Sequence, residues 1–165
     1  MDSSGDAQLE KWFPNLKPGE YEVRSPTAVR YNCIAWAAGH DDQWWEPSSG
    51  DNDYFWPDDP SVPNTDTIAA AIAVFRWIGY EDCAITNISP EPGYEKVAIY
   101  GGDEAFTHAA KLTDEGWSSK IGPFQDIVHK TLDSLAGGGD SFGKVVAIMR
   151  RKLPPPPMSE QSPEN

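Results

Sequence analysis

Apolar residues recur with a helical period in one stretch of the chain and with a strand period in several others. Ile68, Ala71, Ile72, Phe75 and Ile78 share the spacing of one helix face. Asn64 or Thr65 is placed to cap that helix, Asp66 to complement its dipole, and Gly79 to end it. Shorter apolar runs at 81–86, 94–100, 105–111, 116–121 and 144–150 predict strands, and Thr113-Asp114-Glu115-Gly116 is the turn of a hairpin. Residues 123–135 read as helical, while Trp12 to Val23 reads as an irregular approach containing the turn Lys17-Pro18-Gly19. In Tyr31-Asn32-Cys33-Ile34-Ala35-Trp36-Ala37-Ala38-Gly39, an Asn precedes small apolar residues that stop at a glycine. That is a short helix with Asn32 at its N-cap and Gly39 as its left-handed C-terminal residue. The polar stretch 1–10 is expected to be flexible, 11–152 to form one α+β domain, and 153–165, with its run of prolines, to be a disordered tail.

The helix that opens on Cys33 carries the candidate chemistry. A sulfur in the first helical turn feels the partial positive charge of unpaired N–H groups, which favours the reactive thiolate. Cys33 also reads simply as a small core residue on an apolar helix. A nucleophilic thiol needs a base, and the histidines are His40, His108 and His129. His108 lies in a predicted strand, so a helix-borne cysteine would face a strand-borne imidazole. A third polar group on or just after the next strand would orient the ring. His40 follows the helix-ending glycine and belongs to the opposite end of the helix. His129, three residues after Asp126, would share a helical face with that acid.

These residues resemble the papain-like superfamily of cysteine peptidases and amidases. Asn32-Cys33-Ile34-Ala35-Trp36-Ala37 looks like the helix start of the CHAP amidase branch. Lys96-Val97-Ala98-Ile99-Tyr100-Gly101-Gly102, followed by Phe106-Thr107-His108-Ala109, is similar to the paired strands of NlpC-type cell-wall peptidases. The resemblance spans roughly residues 20–150 and implies a papain-like core, with the Cys-bearing helix packed on a small antiparallel sheet. Two registers are open. In one, Lys96 stands where the catalytic histidine belongs and His108 falls on the supporting polar position, which implies a degenerate relative without catalysis. In the other, His108 is the base, and Asp126 or Ser119 orients it. The second leaves no role empty and is preferred. It implies a hydrolase of amide or related acyl bonds. Cys33 is then the nucleophile, and Asn32, with the Cys33 backbone N–H, supplies the oxyanion donors. The chain is also similar to uncharacterised bacterial proteins with Tyr-Asn-Cys-Ile-Ala-Trp-Ala and His-Ala-Ala…Trp-x-Ser-Lys-x-Gly signatures.

Charge narrows the partners. Thirteen basic residues against 26 acidic ones give a formal net charge of −13, which disfavours nucleic acid and anionic membrane surfaces. The expected substrate is therefore a neutral or basic peptide or amide. The segment 40–63 is a loop rich in Trp, Asp and Pro, long enough to suggest a role of its own. Trp36 together with Trp44, Trp45 and Trp56 would line a cleft, or the 41–59 loop would take a protein partner; the same aromatics also read as a plug for the edge of the core. No cofactor is expected. Cys33, His40, Cys83 and His108 contain no close pair to anchor zinc, and Asp41-Asp42, Asp51-Asn52-Asp53 and Asp58-Asp59 lack the spacing of a calcium loop. The polar, acidic start of the chain lacks the features of a signal peptide, so the expected location is cytoplasmic, or outside by a signal-independent route.

Overall fold

Side chains alternate across a strand, so a sheet built from apolar runs has two faces to cover, and here different elements cover each. The computed structural model describes residues 3–25, 28, 30–47, 54–103, 105–121, 124–138 and 141–153, with side chains from residue 7 onward. Its elements are α1 (Ser3–Trp12), β1 (Tyr21–Ser25), α2 (Cys33–Ala37), α3 (Ile68–Trp77), β2 (Glu81–Cys83), β3 (Tyr94–Gly102), β4 (Ala105–Thr113), β5 (Gly116–Lys120), β6 (Asp126–His129), a 3-10 turn (Leu132–Leu135) and β7 (Lys144–Lys152). The strands form one antiparallel seven-stranded sheet in the order β1-β6-β5-β4-β3-β7-β2. The class is α+β, with the sheet dominant. Among the described residues no helix is long and apolar enough to cross a membrane.

On the front face, Val97, Ile99, Ala109 and Met149 pack with Cys33, Ile34, Ala35 and Ala37 of α2 and with Val74 and Phe75 of α3. On the back, Ala98, Tyr100, Ala110 and Ile148 join Leu9, Phe13, Leu16, Trp117, Ile127 and Leu135. Both front helices end as their glycines predict. Gly39 and Gly79 have φ of 97° and 108°. In each case the glycine and the residue after it donate to carbonyls of the last turn: Gly39 to Trp36, His40 to Ala35, Gly79 to Arg76 and Tyr80 to Phe75. The α3 cap is Thr67, whose hydroxyl accepts from Ala70 N–H at 3.1 Å, rather than Asn64 or Thr65.

Three segments differ from the sequence expectation, each because tertiary contacts outweigh local signals. Residues 3–12 of the supposedly flexible start form α1, anchored by Leu9, which is 1% exposed in the back core. Tyr21 to Ser25 is an edge strand rather than an irregular approach. Residues 126–129, expected to be helical, form β6 between β1 and β5, and Thr131 caps the short 3-10 turn that follows. Asp126 and His129 therefore share no helical face. The Pro-rich 154–165, the Asp51-Asn52-Asp53 run and Gly122 lie outside the described residues.

Candidate functional site

Cys33 opens α2, and Asn32 caps it by accepting from Ala35 N–H at 3.3 Å. The helix packs on β4 and β5. The β4–β5 ladder there runs only from Lys111↔Ser118 to Thr113↔Gly116, and the Cys33 sulfur meets the Ala109 backbone N–H beyond it. On β5, Ser118 and Lys120 point to the same front face. The Trp36 indole donates to Ser118 Oγ at 2.8 Å. Lys120 is fully buried; its Nζ donates to the Ala28 carbonyl at 2.6 Å and lies 4.7 Å from the Tyr31 ring centre, and that ring packs 5.6 Å from Trp36. Asp126 stands opposite Lys120 across β5–β6 and accepts from the Ser25 hydroxyl. The Tyr-Asn-Cys and Trp-x-Ser-Lys motifs, far apart in sequence, thus interlock in space.

The electrostatics follow from burial. Desolvation pushes the Cys33 thiol up to about 11, which the Ala109, Ile34 and Cys33 backbone groups and Lys120 only partly offset. A five-residue helix supplies little opposing dipole. Desolvation lowers Lys120 to about 8, against the pull of Asp126 and Cys33, and raises Asp126 above the usual carboxylate value.

His108 and His129 are elsewhere, and His40 follows the end of α2, stacked on Trp45. His108 precedes Ala109 on β4, so its ring faces the back. There it is fully buried, stacked on Phe142 at 4.0 Å and 5.4 Å from Tyr100, with neither ring nitrogen bonded. Burial, then His129, hold it well below the ordinary 6.5. Ser119 also faces the back. Its hydroxyl is 2.7 Å from His129 Nε2, and His129 Nδ1 is 2.8 Å from the Thr131 carbonyl. Because a carbonyl only accepts, Nδ1 carries the proton and Ser119 donates to Nε2. Burial lowers His129 to about 4, so the pair is a sealed structural network. Lys96, the alternative position for a base, is back-facing too; its Nζ is held by Asn87 O and Oδ1, Ser89 O and Glu91. Of the expected catalytic residues, Cys33 and Asp126 share the front face, each beside Lys120, and His108 and Ser119 do not join them.

The Asn32 amide, expected as an oxyanion donor, is engaged within the fold. Beyond capping α2, its Oδ1 accepts from Trp45 N–H at 3.1 Å and its Nδ2 donates to the Trp45 carbonyl at 2.7 Å. Trp45 is buried, Trp44 stacks on Tyr54, and the Trp56 indole donates to Pro63 O. Trp36 borders a cavity of about 350 Å³, with His40, Lys111 and Ser118 on its walls. Both cysteines are free thiols. Among the described residues no group of three or more His, Cys, Asp or Glu side chains is placed to hold a metal ion. Lys120, Tyr31 and Ser118 were missed as site residues. Alternation from the apolar Trp117 was the available signal, since it puts Ser118 and Lys120 together on the other face.

Fold and site define an α+β protein with a thiol–amine–carboxyl cluster buried under a short helix. Residues 22–150 match the family described as Domain of unknown function (DUF7689), and the chain belongs to that family. No curated protein and no solved structure matches it.

Proposed function

We propose that this is a non-catalytic, acidic interaction protein on a degenerate papain-like fold, with the 41–59 loop as its partner-binding element. The observation that carries the reading is the setting of Cys33, whose buried thiol sits at about 11 beside Lys120 while the His108 and His129 imidazoles occupy the other face. A short Cys-bearing helix on an antiparallel sheet supports papain-like ancestry, and the motif residues now serve packing. Asn32 ties α2 to the loop, and Lys120 ties β5 to the segment before α2.

One observation favours the alternative, a cysteine hydrolase of amide bonds: Lys120, at about 8, is close enough to Cys33 to interact with it. It would be the base in place of His108. With the thiol at about 11 and the amine at about 8, however, proton transfer from sulfur to nitrogen runs uphill. Iodoacetamide labelling of Cys33 against pH, read by mass spectrometry, separates the readings. The interaction protein shows slow labelling that rises only toward pH 11, and Cys33→Ser retains partner capture. Rapid labelling at mildly acidic pH, abolished in Lys120→Met, would establish the hydrolase instead.

A further inference from the structure

Two described pieces of the loop after α2, 44–46 and 54–55, pair as a minimal parallel ribbon. Trp45 bridges Phe55, Glu46 N–H donates to Phe55 O at 3.0 Å, and Phe55 N–H donates to Trp44 O at 2.7 Å. Alternation then gives the ribbon two faces. Trp45 and Phe55 turn inward, with ring centres 4.6 Å apart, and Trp45 is clamped by Asn32 from below and His40 from the side. Trp44 and Tyr54 turn outward and stack at 5.8 Å with 29° between their planes. Tyr54 is 43% exposed, and the Trp44 indole donates to Glu46 Oε1 at 2.7 Å. A packed inner face thus presents an aromatic pair with a carboxylate at its edge. The exposed Asp41, Asp42 and Asp58 flank it in sequence, on a chain of net charge −13.

We propose that the outward Trp44–Tyr54–Glu46 face is a docking platform for an arginine-bearing segment of a basic polypeptide. The inference rests on the interaction-protein reading and specifies its partner. Charge complementarity selects a cation. The aromatic faces select among cations, because a planar guanidinium stacks on a ring while its fork reaches the neighbouring carboxylate. A lysine ammonium is a hydrated point charge and gains less from the same surface.

The test titrates the full-length protein, followed by tryptophan fluorescence and calorimetry, with a short Arg–Gly repeat peptide, a Lys–Gly peptide of equal charge and a Glu–Gly control. The Arg–Gly peptide is expected to bind best and the Glu–Gly peptide not at all. Trp44→Ala and Tyr54→Ala, with unchanged thermal midpoints, should each weaken Arg–Gly binding about tenfold, as aromatic anchors do. Glu46→Gln, which keeps an acceptor for the indole, should weaken it a few-fold. Equal binding of the Arg and Lys peptides, or Arg–Gly affinity indifferent to Trp44→Ala and Tyr54→Ala, overturns the platform. Inert Cys33 with an indifferent Trp44 sinks the platform alone. Rapid Cys33 labelling with Trp44-dependent binding sinks the functional reading and leaves the platform standing.

Discussion

His108 is an imidazole enclosed between Phe142 and Tyr100, with both nitrogens unbonded. Leaving buried polar atoms without partners costs roughly 1–3 kcal/mol per group, so this residue sits there at the expense of stability. It also links stability to pH. Burial depresses His108 well below 6.5 and His129 to about 4, so below 6.5 the unfolded chain binds protons that the folded protein refuses. Stability from these sites is complete above 6.5 and is lost as pH falls toward 4. His108→Phe keeps a ring against Phe142 and removes the nitrogens. Its melting temperature at about pH 7.5 should equal or exceed that of wild type, and its decline on going to about pH 5 should be smaller. His129, Asp126 and the other acids titrate in both proteins, so the difference isolates residue 108. Identical declines would show that the imidazole has another proton source or partner.

At the scale of elements, α2 and the aromatic ribbon form one unit, hydrogen-bonded through the side chain of Asn32 and packed through His40. Asn32 satisfies the first turn of α2 through Ala35 N–H and holds both backbone groups of Trp45. Asn32→Ala removes a helix cap and leaves a buried N–H and carbonyl unpaired, so a loss of about 2–4 kcal/mol is expected in urea unfolding. Faster amide exchange at Trp45 and a red-shifted tryptophan emission should accompany it. Asn32→Asp, which keeps the acceptor and loses the donor, should fall between. A cost below about 0.5 kcal/mol would mean that packing of Trp45 under His40, rather than the cap, holds the ribbon. The same unit gives the Asn of the Asn-Cys motif a structural task, capping α2 and holding Trp45.

The whole molecule is held against its own charge. Ion pairs cross the sheet, Arg150 with Glu81 and Glu91, and Arg151 and Lys111 with Glu95, yet the net charge remains −13. Exposed pairs contribute little each, whereas self-repulsion acts over the entire surface and is screened by salt. The melting temperature should therefore rise by a few degrees between about 10 mM and about 0.5 M sodium chloride, as measured by calorimetry. A fall over that range would show the ion pairs outweighing the repulsion. Binding of a basic partner should weaken over the same range, since steering charges are screened.

What the sequence by itself determined is what local chemistry determines. Both front helices end at their glycines because only glycine adopts those positive φ values without strain, and Asn32 caps α2 because its short side chain reaches back to the first turn. The runs of β3, β4, β5 and β7 were readable from their apolar patterns, and so was the thiol at the head of α2. Tertiary structure alone decided the rest. Whether 126–129 became helix or strand depended on β1 and β5 lying on either side, and α1 formed because the back of the sheet offered Leu9 a place. The partner of Cys33 turned on parity along β4 and β5, where a shift of one residue moves a side chain through the sheet. Ala109 and Lys120 face the thiol, and His108 and Ser119 do not. Alternation along β5 separates Ser118 and Lys120 from Ser119, but which of the two faces meets α2 is decided only when the helix packs on the sheet.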